Sequence, residues 1–137
     1  MRCVKLGGAV RTFLDVPRFA VIGTIDPDGA PHLSVVWYER RGDELFVNTT
    51  VERVKARNIT ADPRVSLLIG ESARYVRLDG VARAVAFGDE ALKDIHAIGV
   101  RYDGAEAAER QTRMVWGKQD RVTYAIEIRH LYKYGFG

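Results

Sequence analysis

The stretch Leu45-Phe46-Val47-Asn48-Thr49-Thr50-Val51-Glu52-Arg53-Val54-Lys55-Ala56-Arg57-Asn58 reads as a strand that delivers the chain into a helix. Thr49, with Glu52 three residues on, has the form of a capping box and places the helix start at Val51. A helix start leaves amide groups unbonded at the positive end of the helix dipole. With the hydroxyls of Thr49 and Thr50 beside them, such amides favour an anion. Arg53 and Lys55 fall in the first turn and a half, and Arg57 lies one turn beyond Arg53. Hydroxyls, open amides and two or three cations in one place suit a phosphate. The same residues also fit a solvated basic face, with Val51, Val54 and Ile59 turned inward.

Working outward, residues 19–25 form a nearly unbroken β-prone apolar run, the pattern of a strand covered on both faces. Asp26-Pro27-Asp28-Gly29-Ala30-Pro31 is a turn, and residues 32–40 and 44–48 read as second and third strands about the turn Arg41-Gly42-Asp43. Residues 19–48 are thus expected to be a three-strand meander. The helix should stop before Pro63, because the residue preceding proline avoids the α region. Residues 64–70 and 75–87 follow as strands, with a bulge expected at Gly80. Residues 89–102 change to a helical period, Gly104 breaks it, and 105 to about 115 is a second short helix. Residues 121–134 alternate cleanly and close the chain as a sixth strand. The expected class is α+β: a six-stranded antiparallel barrel with flanking helices, one domain over 1–137.

Composition narrows the chemistry. A chain with 47% hydrophobic and 28% charged residues is globular rather than disordered. No apolar run approaches the ~20 residues of a membrane span, and the N-terminus lacks a signal-peptide core, so a cytoplasmic location is expected. Cys3 is the only cysteine, which excludes an internal disulfide and a cysteine-rich zinc site. His32, His96 and His130 show no ligand spacing, so no metal site is expected. A net charge of +3 permits an anionic ligand without requiring nucleic acid, and the cations do not interleave with aromatics as single-strand binders require.

Four pieces of the chain resemble the flavin-binding split β-barrel, the pyridoxamine 5′-phosphate oxidase-like superfamily. They are the opening hairpin Ala20-Val21-Ile22-Gly23-Thr24-Ile25-Asp26-Pro27-Asp28-Gly29-Ala30-Pro31-His32; Ser34-Val35-Val36-Trp37-Tyr38; the corner from Phe46 through Lys55-Ala56-Arg57-Asn58-Ile59 to Asp62-Pro63-Arg64-Val65; and the ending His130-Leu131-Tyr132-Lys133-Tyr134-Gly135. The Lys-x-x-Asn-Ile-x-x-Asp-Pro run is most similar to the group that uses the deazaflavin coenzyme F420.

The resemblance implies a homodimer with two cofactor sites at the subunit interface. It implies that Thr49, Thr50, Arg53 and Lys55 hold the cofactor phosphate. The ring would lie along Ser34, Val35, Val36 and Trp37, with its pyrimidine edge on backbone groups. Asn58 would support the phosphate or ribityl chain, Arg57 an anionic tail, and Trp116 would cap the site from the partner subunit. By residue type alone Trp37 reads as core or dimer interface more often than as a cofactor partner, since that is where a tryptophan in a strand more commonly lies. The expected activity is hydride transfer between coenzyme F420 and a small organic substrate. FMN is the alternative cofactor, and a flavin or haem carrier without turnover is the alternative class. No side chain is singled out as acid or base. The C-terminus Lys133-Tyr134-Gly135-Phe136-Gly137 lacks the arginine-rich ending of the oxidases that act on vitamin B6 phosphates, which argues against that substrate.

Overall fold

Strand-forming runs dominate the chain from residue 20 onward, and the structure, a computed structural model that describes residues 3–137, pairs them into one antiparallel sheet. Among the described residues there are seven strands, β1 (Ala20–Ile25), β2 (Pro31–Val36), β3 (Glu39–Arg41), β4 (Glu44–Thr50), β5 (Arg64–Glu71), β6 (Arg74–Phe87) and β7 (Arg121–Tyr134). There are also four helices, α1 (Gly8–Asp15), α2 (Val54–Ala61), α3 (Gly88–Asp103) and α4 (Ala105–Met114), and a short 3₁₀ turn, Trp116–Lys118. The sheet order is β2-β1-β5-β6-β7-β4-β3.

Two expectations about the sheet are corrected. The expected six strands are seven, because residues 32–40 are not one strand. β2 pairs with β1, and β3 pairs with β4. Between them the chain leaves the ladder at Trp37 and Tyr38. Tyr38 is fully buried; its hydroxyl donates to the Leu14 carbonyl at 3.0 Å, and its amide donates to the Tyr102 hydroxyl at 3.1 Å. That burial pulls β2 and β3 to opposite edges of the sheet, so there is no three-strand meander. The edges do not bond to one another, and the sheet is not closed into a barrel; the covalent chain bridges the split.

Arg101 of α3 fastens this crossing. Its guanidinium donates to the carbonyls of Leu14 (2.9 Å), Asp15 (2.7 Å) and Tyr38 (3.1 Å), and it lies over the rings of Tyr38 and Tyr102. Those carbonyls include the unsatisfied end of α1, so one side chain caps a helix and pins the crossing to α3. No element is expected from the sequence before residue 19, yet α1 forms there. Val10, Phe13 and Leu14 carry its helical spacing and are buried.

The capping box is also corrected. Thr49 and Thr50 pair with Val122 and Arg121 of β7, and the Val51 amide extends that ladder by donating to Asp120 at 2.9 Å. Ladder bonds thereby take the groups a helix start would use. The helix begins at Val54, with Arg53 as an N-cap that makes no side-chain cap bond. The bulge at Gly80 is present as a register shift between Asp79 and Gly80, where a side chain would strike the Glu127 carbonyl. The helix break at Gly104 sits at φ +90, open to glycine without strain. Ile22, Leu67, Ile69, Val76, Leu78, Ile126 and Ile128 alternate into the core with α1. Each such side chain contributes ~1.5–3 kcal/mol by leaving water.

Candidate functional site

Where β2 ends, β4 ends and β7 begins, the sheet leaves a cavity of about 490 Å³. The start of α2 and the helices α3 and α4 complete its walls. Of the residues singled out in the sequence, Val35, Val36, Trp37, Thr49, Thr50, Arg53, Lys55 and Trp116 line it together. Phe19, Asn48, Ile95, Asp103, Gln111 and Arg121 line it too and were not foreseen.

Three expected residues lie elsewhere. Arg57 lines a separate groove on the far side of α2, with Ala82, Phe87 and Tyr124. Four residues along a helix return to nearly the same face, but the late start of α2 leaves Arg53 as a cap outside the helical rotation. Asn58 is buried and spent on structure: its amide donates to Thr24 Oγ1 at 3.1 Å and Asp26 Oδ1 at 2.9 Å, tying α2 to the opening hairpin. Ser34 lies on the inward face of β2 opposite Ile22, outside the cavity lining, and its hydroxyl is buried without a hydrogen-bond partner among the described residues.

The polar wall is electrostatically unbalanced. Arg53, Lys55 and Arg121 repel one another, and none forms an ion pair among the described residues. Arg121 is 9% exposed. Burial, reinforced by Arg53, pushes its guanidinium down to about 10, against a small opposing pull from Glu52. Burial, then Arg53 and Arg121, likewise lower the Lys55 ammonium. Arg121 is aimed rather than neutralised: Nε donates to Asn48 Oδ1 at 2.7 Å, and Nη1 donates to the Gln119 side-chain oxygen. Asn48 is itself fixed by donating to the Ala91 carbonyl and Thr123 Oγ1, both at 2.9 Å, and Thr123 donates to Asp94. Beside these cations the Thr50 hydroxyl is buried with no partner among the described residues. A buried guanidinium crowded by a half-buried ammonium and an exposed second guanidinium, with an idle buried hydroxyl beside it, is unfavourable until an anion enters. Arg121 opens the last strand opposite Thr50, a cross-sheet pairing that local sequence does not reveal.

The other wall is aromatic. Trp37 stacks on Tyr102 with ring centres 4.8 Å apart and planes 7° from parallel, and Trp116 meets Trp37 edge-on at 6.3 Å. Trp116 does this within its own chain, where it lines the cavity. The Tyr102 hydroxyl donates to the Arg18 carbonyl at 2.6 Å, and burial raises its pKa. It is a fixed structural donor, not a free acid. Among the described residues no three His, Cys, Asp or Glu side chains gather as a metal site, and no helix is long and apolar enough to cross a membrane.

Comparison with known proteins places this geometry. The sequence pattern of a family described as pyridoxamine 5′-phosphate oxidase matches residues 6–133. A conserved hypothetical protein of Mycobacterium tuberculosis superposes with a TM-score of 0.80 at 29% identity, over 98% of this chain and 87% of that one. A protein described as an F420 reductase superposes at 0.73 with 23% identity, over 93% and 98%. The haem storage protein of Vibrio cholerae also gives 0.73, with 20% identity over 98% of both chains. At these two lower identities the likeness shows the fold alone.

Proposed function

The chain belongs to the pyridoxamine 5′-phosphate oxidase family, and we propose that it is an oxidoreductase that holds coenzyme F420 in the cavity between Trp37 and Arg121. The observation that carries this reading is the set of three cations without ion-pair partners beside the idle Thr50 hydroxyl, facing an aromatic wall. Lys55, Arg121 and Thr50 would hold a phosphate, with Thr49 beside them at the end of the strand. Val35, Val36 and Trp37 would cover one face of a tricyclic ring. When bound, the deazaflavin supplies hydride exchange at its C5. The chain supplies position and water exclusion, and hydride transfer between closely held partners requires no side-chain acid. A phosphodiester carries one charge, so three cations leave a surplus that suits a carboxylate tail passing Arg53.

FMN is the second reading, favoured by one observation. Arg57 lies outside the cavity, so the basic groove stops at the phosphate corner and needs nothing longer than a terminal phosphate. The deciding experiment is fluorescence titration of the purified protein with FMN and with coenzyme F420. A preference of roughly tenfold for coenzyme F420 at low salt, shrinking as screening shortens the reach of the tail contacts, supports the proposal. Tighter FMN binding at every salt concentration moves the protein to the flavin branch. Failure of both, with haem bound instead, makes it a carrier.

The same reading includes a homodimer. Val35, Val21 and Leu68 form one cross-strand row on the outer face of β2, β1 and β5. Val35 is 65% exposed and neighbouring Leu33 is 67% exposed. Phe19 and Val35 are both exposed and line the cavity, so a second copy on this face would close the site on its open side. Sedimentation at micromolar concentration should give a dimer; a monomer removes the interfacial site.

A further inference from the structure

We infer that Gly99 is the seat that fixes Trp116, and through Trp116 sets the width of the aromatic end of the cavity. Gly99 lies in the interior of α3 with ordinary helical backbone, so no positive φ calls for a glycine there. Glycine is among the poorest helix formers, which makes its presence in a buried helical turn informative. A methyl group at this position would stand 2.6 Å from Trp116 Cη2 and 2.9 Å from Cζ3, well inside van der Waals contact. Its other neighbour is the Ala108 methyl at 3.3 Å, where α3 packs on α4. The missing side chain is therefore the space the indole occupies.

The turn carrying Trp116 is held just as closely. A side chain at Gly117 would lie 2.7 Å from the Thr112 carbonyl, so this turn rests directly on α4. Gly99 and Tyr102 are three residues apart on one face of α3. Tyr102 stacks on Trp37, and Trp37 meets Trp116 edge-on. One face of α3 thus supports both ends of the aromatic wall, directly through Tyr102 and by vacancy through Gly99. Filling that vacancy drives the indole off its seat and changes the space left for a flat ring. Gly99 is a positioning residue, and it touches no ligand.

The test is a double-substitution cycle with two further readouts. In the natural background Gly99→Ala should lower Tm. With Trp116→Leu already present, the same change should raise Tm by about 2–4 °C, because alanine is the better helix former and the obstruction has gone. An effect of the same sign in both backgrounds overturns the inference. With Trp37→Phe as background, Trp116 is the sole tryptophan. Gly99→Ala should then shift its emission and its quenching by acrylamide, and an unchanged spectrum overturns the seat. The ligand arm rests on the cofactor reading above and uses coenzyme F420 as the probe. Gly99→Ala should weaken its binding about fivefold or more, and equal binding by the two proteins overturns the claim on cavity width. If the natural protein fails to bind coenzyme F420, the cofactor reading fails while the thermal cycle still decides the seat.

Discussion

Arg101 and Arg121 lie in regions that use the same guanidinium in opposite ways. Arg101 is spent: four backbone carbonyls take its donors, and two tyrosine rings lie under its charge. It joins α1, the crossing from β2 to β3, and α3. Arg121 is more deeply buried and only aimed. Two neutral side-chain oxygens orient it, two other cations face it, and no carboxylate pairs with it among the described residues. A cation whose donors are consumed by backbone stabilises the fold. A buried cation held in place without a counter-charge stores a demand that a ligand can meet.

The largest effect that would break this contrast is on Arg101. Arg101→Ala should destabilise the protein by about 2–4 kcal/mol, the scale of several charge-assisted bonds lost together, read as a fall in Tm without a specific change in cofactor affinity. An unchanged Tm would mean that the crossing holds itself.

Next comes the cation corner. Lys55→Ala or Arg121→Gln should each weaken cofactor binding by about 1–3 kcal/mol. Tm without cofactor should stay level or rise for Lys55→Ala, since a like-charge contact is removed. Normal binding by both variants would reduce the corner to a solvated basic face. The pH dependence follows from the same repulsion. Lys55 in the free protein gives up its proton below the usual lysine range of ~10.4, whereas a bound anion would hold it on. The complex then carries more protons than the free protein in that window, so affinity should fall as pH rises from neutrality towards 10. A flat profile up to pH 10 would show that Lys55 stands away from the anion. Burial and the Arg53 charge push the Arg121 guanidinium down to about 10, and a bound anion would hold its proton on as well.

Two smaller effects sharpen the boundary of the site. Thr50→Val removes a buried hydroxyl without a partner, so it should leave Tm level or higher and weaken binding by ~0.5–1.5 kcal/mol in titration. Arg57→Ala should change binding by less than about 0.5 kcal/mol, because Arg57 faces another groove. A larger loss would show the cofactor tail bending around α2.

Much of the strand and helix layout is legible in local pattern. Period-2 alternation marks β7, the switch to helical period marks α3, and Pro63 and Gly104 mark the ends of α2 and α3. These signals are local because backbone preference and the facing of side chains repeat over a few residues. The anion corner is partly legible for the same reason: Thr50, Arg53 and Lys55 crowd one short segment. The misreadings share a cause. Thr49 and Glu52 have the right spacing for a cap, but a ladder with β7, some seventy residues away, claims the backbone first. Residues 32–40 carry strand propensity throughout, but burying Tyr38 under Leu14 splits them and sends the two halves to opposite edges.

Sequence by itself determined most element types from residue 20 onward and the basic character of the corner at β4 and α2, because each depends on residues close along the chain; Trp37 came near that corner only through the family resemblance. Only the tertiary structure decided that Arg121 is the third cation, that Arg57 and Asn58 are not in the cavity, and that Gly99 makes room for Trp116. Each of these depends on which distant segments share a wall. That is set by strand pairing and core packing summed over the whole molecule, for which no short window of sequence carries a sign.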